Sequence, residues 1–162
     1  MKKVIVIGCP GSGKSTFSRA LHNKTGITLY HLDMMYWNED KTVVEKSLFR
    51  QQLSEVIERD EWIIDGNYGS TMEMRISACD TVFFLDYPLE VCLDGIKQRR
   101  GKPRSDIPWV ETEEDPEFID FIKNFNAESK PGILALMEKY KRGRKIVIFK
   151  SRQEADGYIM NL

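Results

Sequence analysis

Long apolar runs are missing from this 162-residue chain, and no stretch approaches the ~18 residues that a membrane-spanning helix needs. Cysteine is scarce and poorly spaced. Cys9, Cys79 and Cys92 are odd in number and form no C-x-x-C pair, which argues against a disulfide framework and a zinc site and fits a reducing compartment. A strong net charge is absent too. At −1, the chain has no general attraction to nucleic acid or to an anionic membrane. There is no internal repeat and no low-complexity tract. Met1-Lys2-Lys3 precedes an apolar stretch as in a secretion signal, but the stretch falls short of the ~7–15 residues required. These absences lead us to expect a cytoplasmic protein with no membrane partner. A monomer or weak dimer is expected, though nothing in the sequence sets the oligomeric state.

What is present is ordinary globular composition and one unusual loop. The hydrophobic fraction of 41% and charged fraction of 30% suit a single domain over residues 1–162 with a real core. Val4-Ile5-Val6-Ile7 is a run of β-branched residues that reads as a buried strand. It feeds Gly8-Cys9-Pro10-Gly11-Ser12-Gly13-Lys14-Ser15, which fits G-x-x-x-x-G-K-S/T. Glycines let the backbone turn tightly and aim successive N–H groups at phosphate oxygens. The helix that follows adds the positive end of its dipole. Lys14 is placed to reach the β- and γ-phosphates, and the Ser15 hydroxyl to sit on Mg²⁺. The candidate nucleotide-binding set is therefore Gly8, Cys9, Pro10, Gly11, Ser12, Gly13, Lys14, Ser15 and Thr16.

Further strands are expected at Trp62–Ile64, Val82–Leu85 and Ile146–Phe149, with a weaker one at Thr28–Leu32. Apolar residues at helical spacing predict a helix over roughly 41–59, another after Pro88 through Ile96, and a third from Pro116. Pro131 either kinks the third or starts a new one, and Ser151 with Glu154 forms a capping box for a last short helix. Strands alternating with helices imply an α/β fold whose parallel sheet is covered on both faces. Gly101–Asp115, with Pro103 and Pro108, reads as an inserted loop.

In such a sheet, ligands bind beyond the carboxyl ends of the strands. Asp33 falls there and is a candidate for orienting an acceptor hydroxyl and taking its proton. Asp65, ending another strand, is a candidate Mg²⁺ ligand beside Ser15, with Asn67 and Tyr68 placed to contact the acceptor. Arg99, Arg100 and Arg104 offer planar donors to a transferring phosphoryl group. Asp86 reads either as a Mg²⁺ aspartate or as a helix cap. Tyr36 and Trp37 read as pocket lining or core, and His22 and His31 as ordinary histidines. A thiol at Cys9 sits where positive charge lowers its pKa. A GTPase switch is disfavoured, because Asn23-Lys24-Thr25-Gly26 lies on the wrong element and lacks the base-reading aspartate.

Gly8–Ser15, His31-Leu32-Asp33 with Tyr36-Trp37, Trp62–Tyr68, Phe83-Leu85-Asp86 with Pro88, and Arg99-Arg100 together resemble the adenylate-kinase-like P-loop kinases. Within that group the likeness is to short bacterial topology-modulation-type proteins. The resemblance implies a three-layer α/β/α fold with five parallel strands in order 2-3-1-4-5, an acceptor-binding arm at about 33–60 and a small lid at about 100–115. It implies ATP and Mg²⁺ as cofactors, and a phosphotransferase acting on a nucleotide, nucleoside or small hydroxylated metabolite. Catalytic roles would fall to Lys14, Asp33, Arg99, Arg100 and Arg104, and metal binding to Ser15 and Asp65. Two departures bear on the acceptor. Asp65-Gly66-Asn67-Tyr68-Gly69 stands where adenylate kinases have Asp-Gly-Phe-Pro-Arg, and Gly95 stands where they carry an arginine that stacks on the donor adenine. The alternative is a nucleotide-binding regulator of little turnover that acts on nucleic acid through the basic cluster.

Overall fold

Hydrophobic strands dictate the centre of the molecule. The computed structural model describes residues 1–112 and 114–162. Its strands are β1 (Lys3–Gly8), β2 (Leu29–His31), β3 (Trp62–Asp65), β4 (Thr81–Leu85) and β5 (Lys145–Phe149). They form one parallel sheet in order β2-β3-β1-β4-β5, as the family resemblance implied. Every residue of β3 and β4 is buried, on both sides of the pleat. A strand buried on both faces needs apolar residues throughout, which is why these segments show runs rather than alternation.

The helices among the described residues are α1 (Lys14–Thr25), α2 (Leu32–Tyr36), α3 (Lys46–Ile57), α4 (Gly69–Ala78), α5 (Leu89–Arg99), α6 (Pro116–Glu128), α7 (Lys130–Tyr140) and α8 (Arg152–Met160). Pro116 opens α6 behind the Asp115 cap, whose carboxylate accepts from the amides of Glu117 and Phe118. Pro131 lies in the first turn of a new helix, so the two alternatives for it resolve in favour of a start. Ser151 caps α8 by accepting from the Glu154 amide at 3.2 Å.

Two expectations shift. The helix expected over 41–59 is shorter, because Val43 pairs with Trp37 in an antiparallel bridge and α3 begins only at Lys46. The strand expected at Ile146–Phe149 lies at the sheet edge, where its residues are partly exposed except for Phe149. Helices α2 and α4 had no strong periodic signal. In α4 the apolar Met72 and Ile76 share the buried face with Thr71 and Arg75.

The register sets up the site. His31 lies opposite Asp65 at the ends of β2 and β3, and Gly8 opposite Leu85 at the ends of β1 and β4. The loops leaving these four strands therefore meet at one edge of the sheet, the edge where α/β folds bind ligands.

Candidate active site

The turn from β1 into α1 is shaped by backbone that most residues resist. Gly11 and Gly13 have φ of 85° and 94°, in the left-handed region. Helix α1 begins on Gly13 with no side-chain cap, so its first amides point outward for an external acceptor. Pro10, Gly11, Gly13, Lys14, Ser15 and Thr16 face a cavity of about 1250 Å³. Gly8, Cys9 and Ser12 of the expected set do not line it. The Ser12 hydroxyl is buried without a hydrogen-bond partner. Cys9 is buried, and its thiol sits 4.0 Å from the Ile122 carbonyl. Its contact with Cys92, then burial, push its pKa up and outweigh the Lys14 charge, so it is no activated thiol.

Lys14 donates to the Gly8 carbonyl at 2.9 Å. Burial lowers its pKa, while the carboxylates of Asp65 and Asp33 oppose that fall. Asp33 lies in the first turn of α2 rather than in a loop, and faces the same cavity. Tyr68 donates its hydroxyl to Asp33 Oδ1. Burial raises the Asp33 pKa, and the Tyr68 hydrogen bond and the Lys14 charge work against the rise. A carboxyl tuned upward is the kind that serves as a general base near neutral pH.

Asp65 is buried at the end of β3 and is bonded by His31 Nδ1 at 2.8 Å. His31 is thus not an ordinary histidine: it orients the carboxylate expected to hold metal. Only the β2–β3 register reveals this.

Asn67 lines the cavity, and its side chain is also engaged with the phosphate loop. Its amide nitrogen donates to the Gly8 carbonyl at 2.6 Å, and its Oδ1 accepts from the Gly8 amide at 3.1 Å. The side chain brackets the root of the phosphate loop. Arg75, fully buried, holds the same segment from beneath, donating to the carbonyls of Gly66, Asn67 and Tyr68 at 2.9, 3.1 and 3.0 Å. Burial lowers its pKa to about 10, still well above neutral.

The basic cluster divides. Arg104 grips Asp106 with both ends of its fork, at 2.9 and 2.6 Å, and also pairs with Glu111. Arg99 reaches Glu111 at 3.3 Å and lines the cavity. Arg100 does neither; it is the residue after α5 and lies outside the cavity lining. Arg99 and Arg104 are thus both paired with acids. Asp106 in turn accepts from the Ser15 hydroxyl at 2.7 Å. Burial would raise its pKa, but the hydrogen bonds and charge of Arg104, with Ser15, hold it well below the usual carboxylate range.

Asp86 belongs to neither expected role. Its carboxylate pairs with Lys130 at 2.8 Å and with Lys150, tying β4 to α7 and the end of β5. Tyr36 packs with Phe49 and Tyr68, whereas Trp37 lines the cavity and meets Trp109 edge-on at 5.5 Å. A Cβ on Gly95 would lie 2.1 Å from the Gly11 carbonyl oxygen, so α5 packs directly on the phosphate loop. Arg152 supplies the nearby guanidinium instead, donating to the carbonyls of Gly11 and Ser12 at 3.1 Å each. Its only sequence signal is its position just past the β5 end.

A 2-3-1-4-5 parallel sheet, a phosphate loop and a cavity at its carboxyl edge are features of the P-loop kinase fold. The adenylate kinase of Thermotoga petrophila is 28% identical over 137 residues, which are 83% of this chain and 52% of that protein. The adenylate kinase of Thermotoga maritima is 29% identical over 109 residues, 63% of this chain and 49% of its own length. The chain thus spans about half the length of the curated relatives it matches. Shikimate kinase from Bacteroides thetaiotaomicron shares the fold with a TM-score of 0.58 at 18% identity, covering 98% of this chain and 94% of that one. Deoxyadenosine kinase from M. mycoides does so with 0.57 at 16%, covering 99% and 98%. No protein-family model matches the chain. In sequence and in fold the chain is similar to the adenylate-kinase-like P-loop kinases. Among the described residues no helix is long and apolar enough to cross a membrane.

Proposed function

We propose that this chain transfers the γ-phosphoryl group of ATP to a hydroxyl of a small acceptor, with Asp33 as the base. The observation that carries the reading is that Lys14, Asp33, Asp65, Arg99 and Arg104 all face one cavity above the phosphate loop. The loop suits the phosphates of Mg²⁺-ATP: Gly11 and Gly13 are left-handed and the amides of the helix that follows have no side-chain cap. Ser15 and Asp65 would hold Mg²⁺, which would neutralise charge on the phosphates.

The chain's own groups then do the following. The loop amides and Lys14 hold the β- and γ-phosphates in line. Tyr68 fixes Asp33 through one carboxylate oxygen, leaving the other for the acceptor hydroxyl. As the acceptor oxygen forms its bond to phosphorus, its proton passes to Asp33 and the bond to the β-phosphate oxygen breaks, releasing ADP. Arg99 and Arg104 are the cations available to the charge on the transferring group. Residues 33–60 serve as an acceptor arm and 100–115 as a lid, and Trp37 against Trp109 is where the two meet.

The test is ADP release measured with a panel of nucleosides, nucleotides and small polyols. Lys14→Ala should lower the stimulated rate by on the order of 10²–10³, the cost of one donor to transition-state charge. Asp33→Asn should keep Mg²⁺-ATP affinity and lose transfer. Turnover of Lys14→Ala within about twofold of wild type would refute the phosphate-loop reading, since that lysine would then supply nothing near the expected factor.

A further inference from the structure

The 100–115 segment brings its own anion to the phosphate loop. Asp106 is buried, at 6% exposure, although residues 100–112 around it hold neither helix nor strand. Its Oδ2 accepts from Ser15 Oγ at 2.7 Å and from Arg104 Nη2 at 2.6 Å, and its Oδ1 accepts from Arg104 Nε at 2.9 Å. A second tie joins the same two elements, with Arg19 of α1 donating to Ser105 Oγ at 3.1 Å. Ser15 and Arg104 are groups that a phosphate–Mg²⁺ unit also needs, one as a metal ligand and the other as a planar donor. Neither can serve both partners. A hydroxyl whose proton is aimed at a carboxylate is misdirected for a cation, and both N–H arms of the fork that face Asp106 are taken. A phosphate beside Asp106 would also face a like charge at short range.

We propose that Asp106 is a built-in competitor of nucleotide phosphate: its carboxylate takes Ser15 and Arg104, and a bound phosphate–Mg²⁺ unit must expel it. This rests on the reading of the loop as a nucleotide site and goes beyond it. Asp106 then determines specificity, because only a ligand that offers oxygens or metal to both Ser15 and Arg104 replaces what the expulsion breaks. A triphosphate with its metal does so, while a shorter phosphate ester leaves Arg104 or Ser15 without a partner. Glu111 keeps Arg99 and Arg104 paired in either case, so the arginines are not left as bare neighbouring charges when Asp106 leaves.

The experiment is titration calorimetry with Mg²⁺-ATP and Mg²⁺-ADP on the whole chain, as wild type, Asp106→Asn and Asp106→Ser. Stopped-flow binding of a fluorescent ATP analogue to wild type accompanies it. Both variants should bind Mg²⁺-ATP about tenfold or more tightly, the factor that one charge-assisted contact is worth in an equilibrium constant. Their preference for ATP over ADP should narrow. The wild-type binding rate should level off with concentration, since expulsion becomes limiting, and this measurement does not depend on any variant folding. Unchanged affinity in a folded variant, or a wild-type rate that climbs linearly with no plateau, overturns the proposal. So does weaker binding together with lost Mg²⁺ dependence, which would make Asp106 a metal ligand. If wild type and Lys14→Ala alike bind no Mg²⁺-ATP, the nucleotide reading itself fails.

Discussion

The carboxamide of Asn67 closes on both backbone polar groups of Gly8, giving at 2.6 Å and receiving at 3.1 Å. One side chain thereby locks the end of β3 to the start of the phosphate loop, and the loop's first turn is held before any ligand arrives. Preorganisation of this kind spares a binding site the entropy of ordering itself. Arg75 extends the lock, since the three carbonyls it serves belong to the residues that carry Asn67 and Tyr68.

Asn67→Ala should weaken both the fold and the loop. The Gly8 amide and carbonyl lose their partners in a partly buried place, which costs about 1–3 kcal/mol. Chemical denaturation measures the loss, and calorimetry should show weaker Mg²⁺-ATP binding in the folded variant. Full stability with unchanged affinity would mean that the rest of the loop holds Gly8 in place.

Arg75→Met should be the more damaging change. The methionine fills much of the volume but leaves three carbonyls without a donor, a loss of about 3 kcal/mol or more. Arg75→Lys should recover only part of it, because a single ammonium cannot reproduce a planar fork. Urea midpoints of the two variants, compared at equal slope, decide the point.

Gly95→Ala adds a methyl group where the Gly11 carbonyl oxygen lies 2.1 Å away. Neither α5 nor the loop can yield cheaply, since the obstacle is backbone. Overpacking of this sort costs about 1–3 kcal/mol. The thermal midpoint should fall, and nucleotide affinity should fall with it because the displaced atoms belong to the phosphate loop. An unaffected affinity would show that α5 moves instead.

The Asp33–Tyr68 pair makes a prediction about pH. Burial raises the folded-state pKa of Asp33 above its usual 3.8. The base form needed for transfer therefore appears at higher pH than for an ordinary carboxylate, and kcat/KM should decline on the acid side from that raised value. The Tyr68 hydrogen bond opposes the rise. Tyr68→Phe should accordingly move the acid limb further up, whereas Asp33→Asn should abolish it. The stability sign follows from the same shift. A raised carboxylate pKa favours folding below the unfolded value, and that advantage is lost as pH rises through the folded one. Asp33→Asn, which carries no charge, should therefore be more stable than wild type at neutral pH, with the gap closing in acid. Thermal melts across pH check this, and a neutral-pH loss of stability in Asp33→Asn would contradict it.

Much of the architecture was legible in the chain because its signals are local. Val4–Ile7 before a glycine loop, apolar runs at Trp62 and Val82, and Pro116 at a helix start each act over a few residues. Local chemistry is enough to determine strands, the phosphate loop and the placement of Lys14 and Ser15 at its end. Asp65, which ends a buried strand, and Asp33, which follows a strand, were legible as well, since carboxylates just beyond the strands of such a sheet fall at the ligand edge. What the neighbours of those residues do was left to the tertiary structure. His31 meets Asp65 because β2 pairs with β3, Asn67 meets Gly8 because β3 lies beside β1, and Arg75 is internal because α4 folds beneath the turn it serves. Asp106 reaches Ser15 across 91 residues, and Arg152 reaches Gly11 across 141. No periodicity or spacing encodes such contacts. They arise when strand order and helix packing bring distant polar groups into a low-dielectric interior, where each must find a partner or cost the fold its desolvation energy.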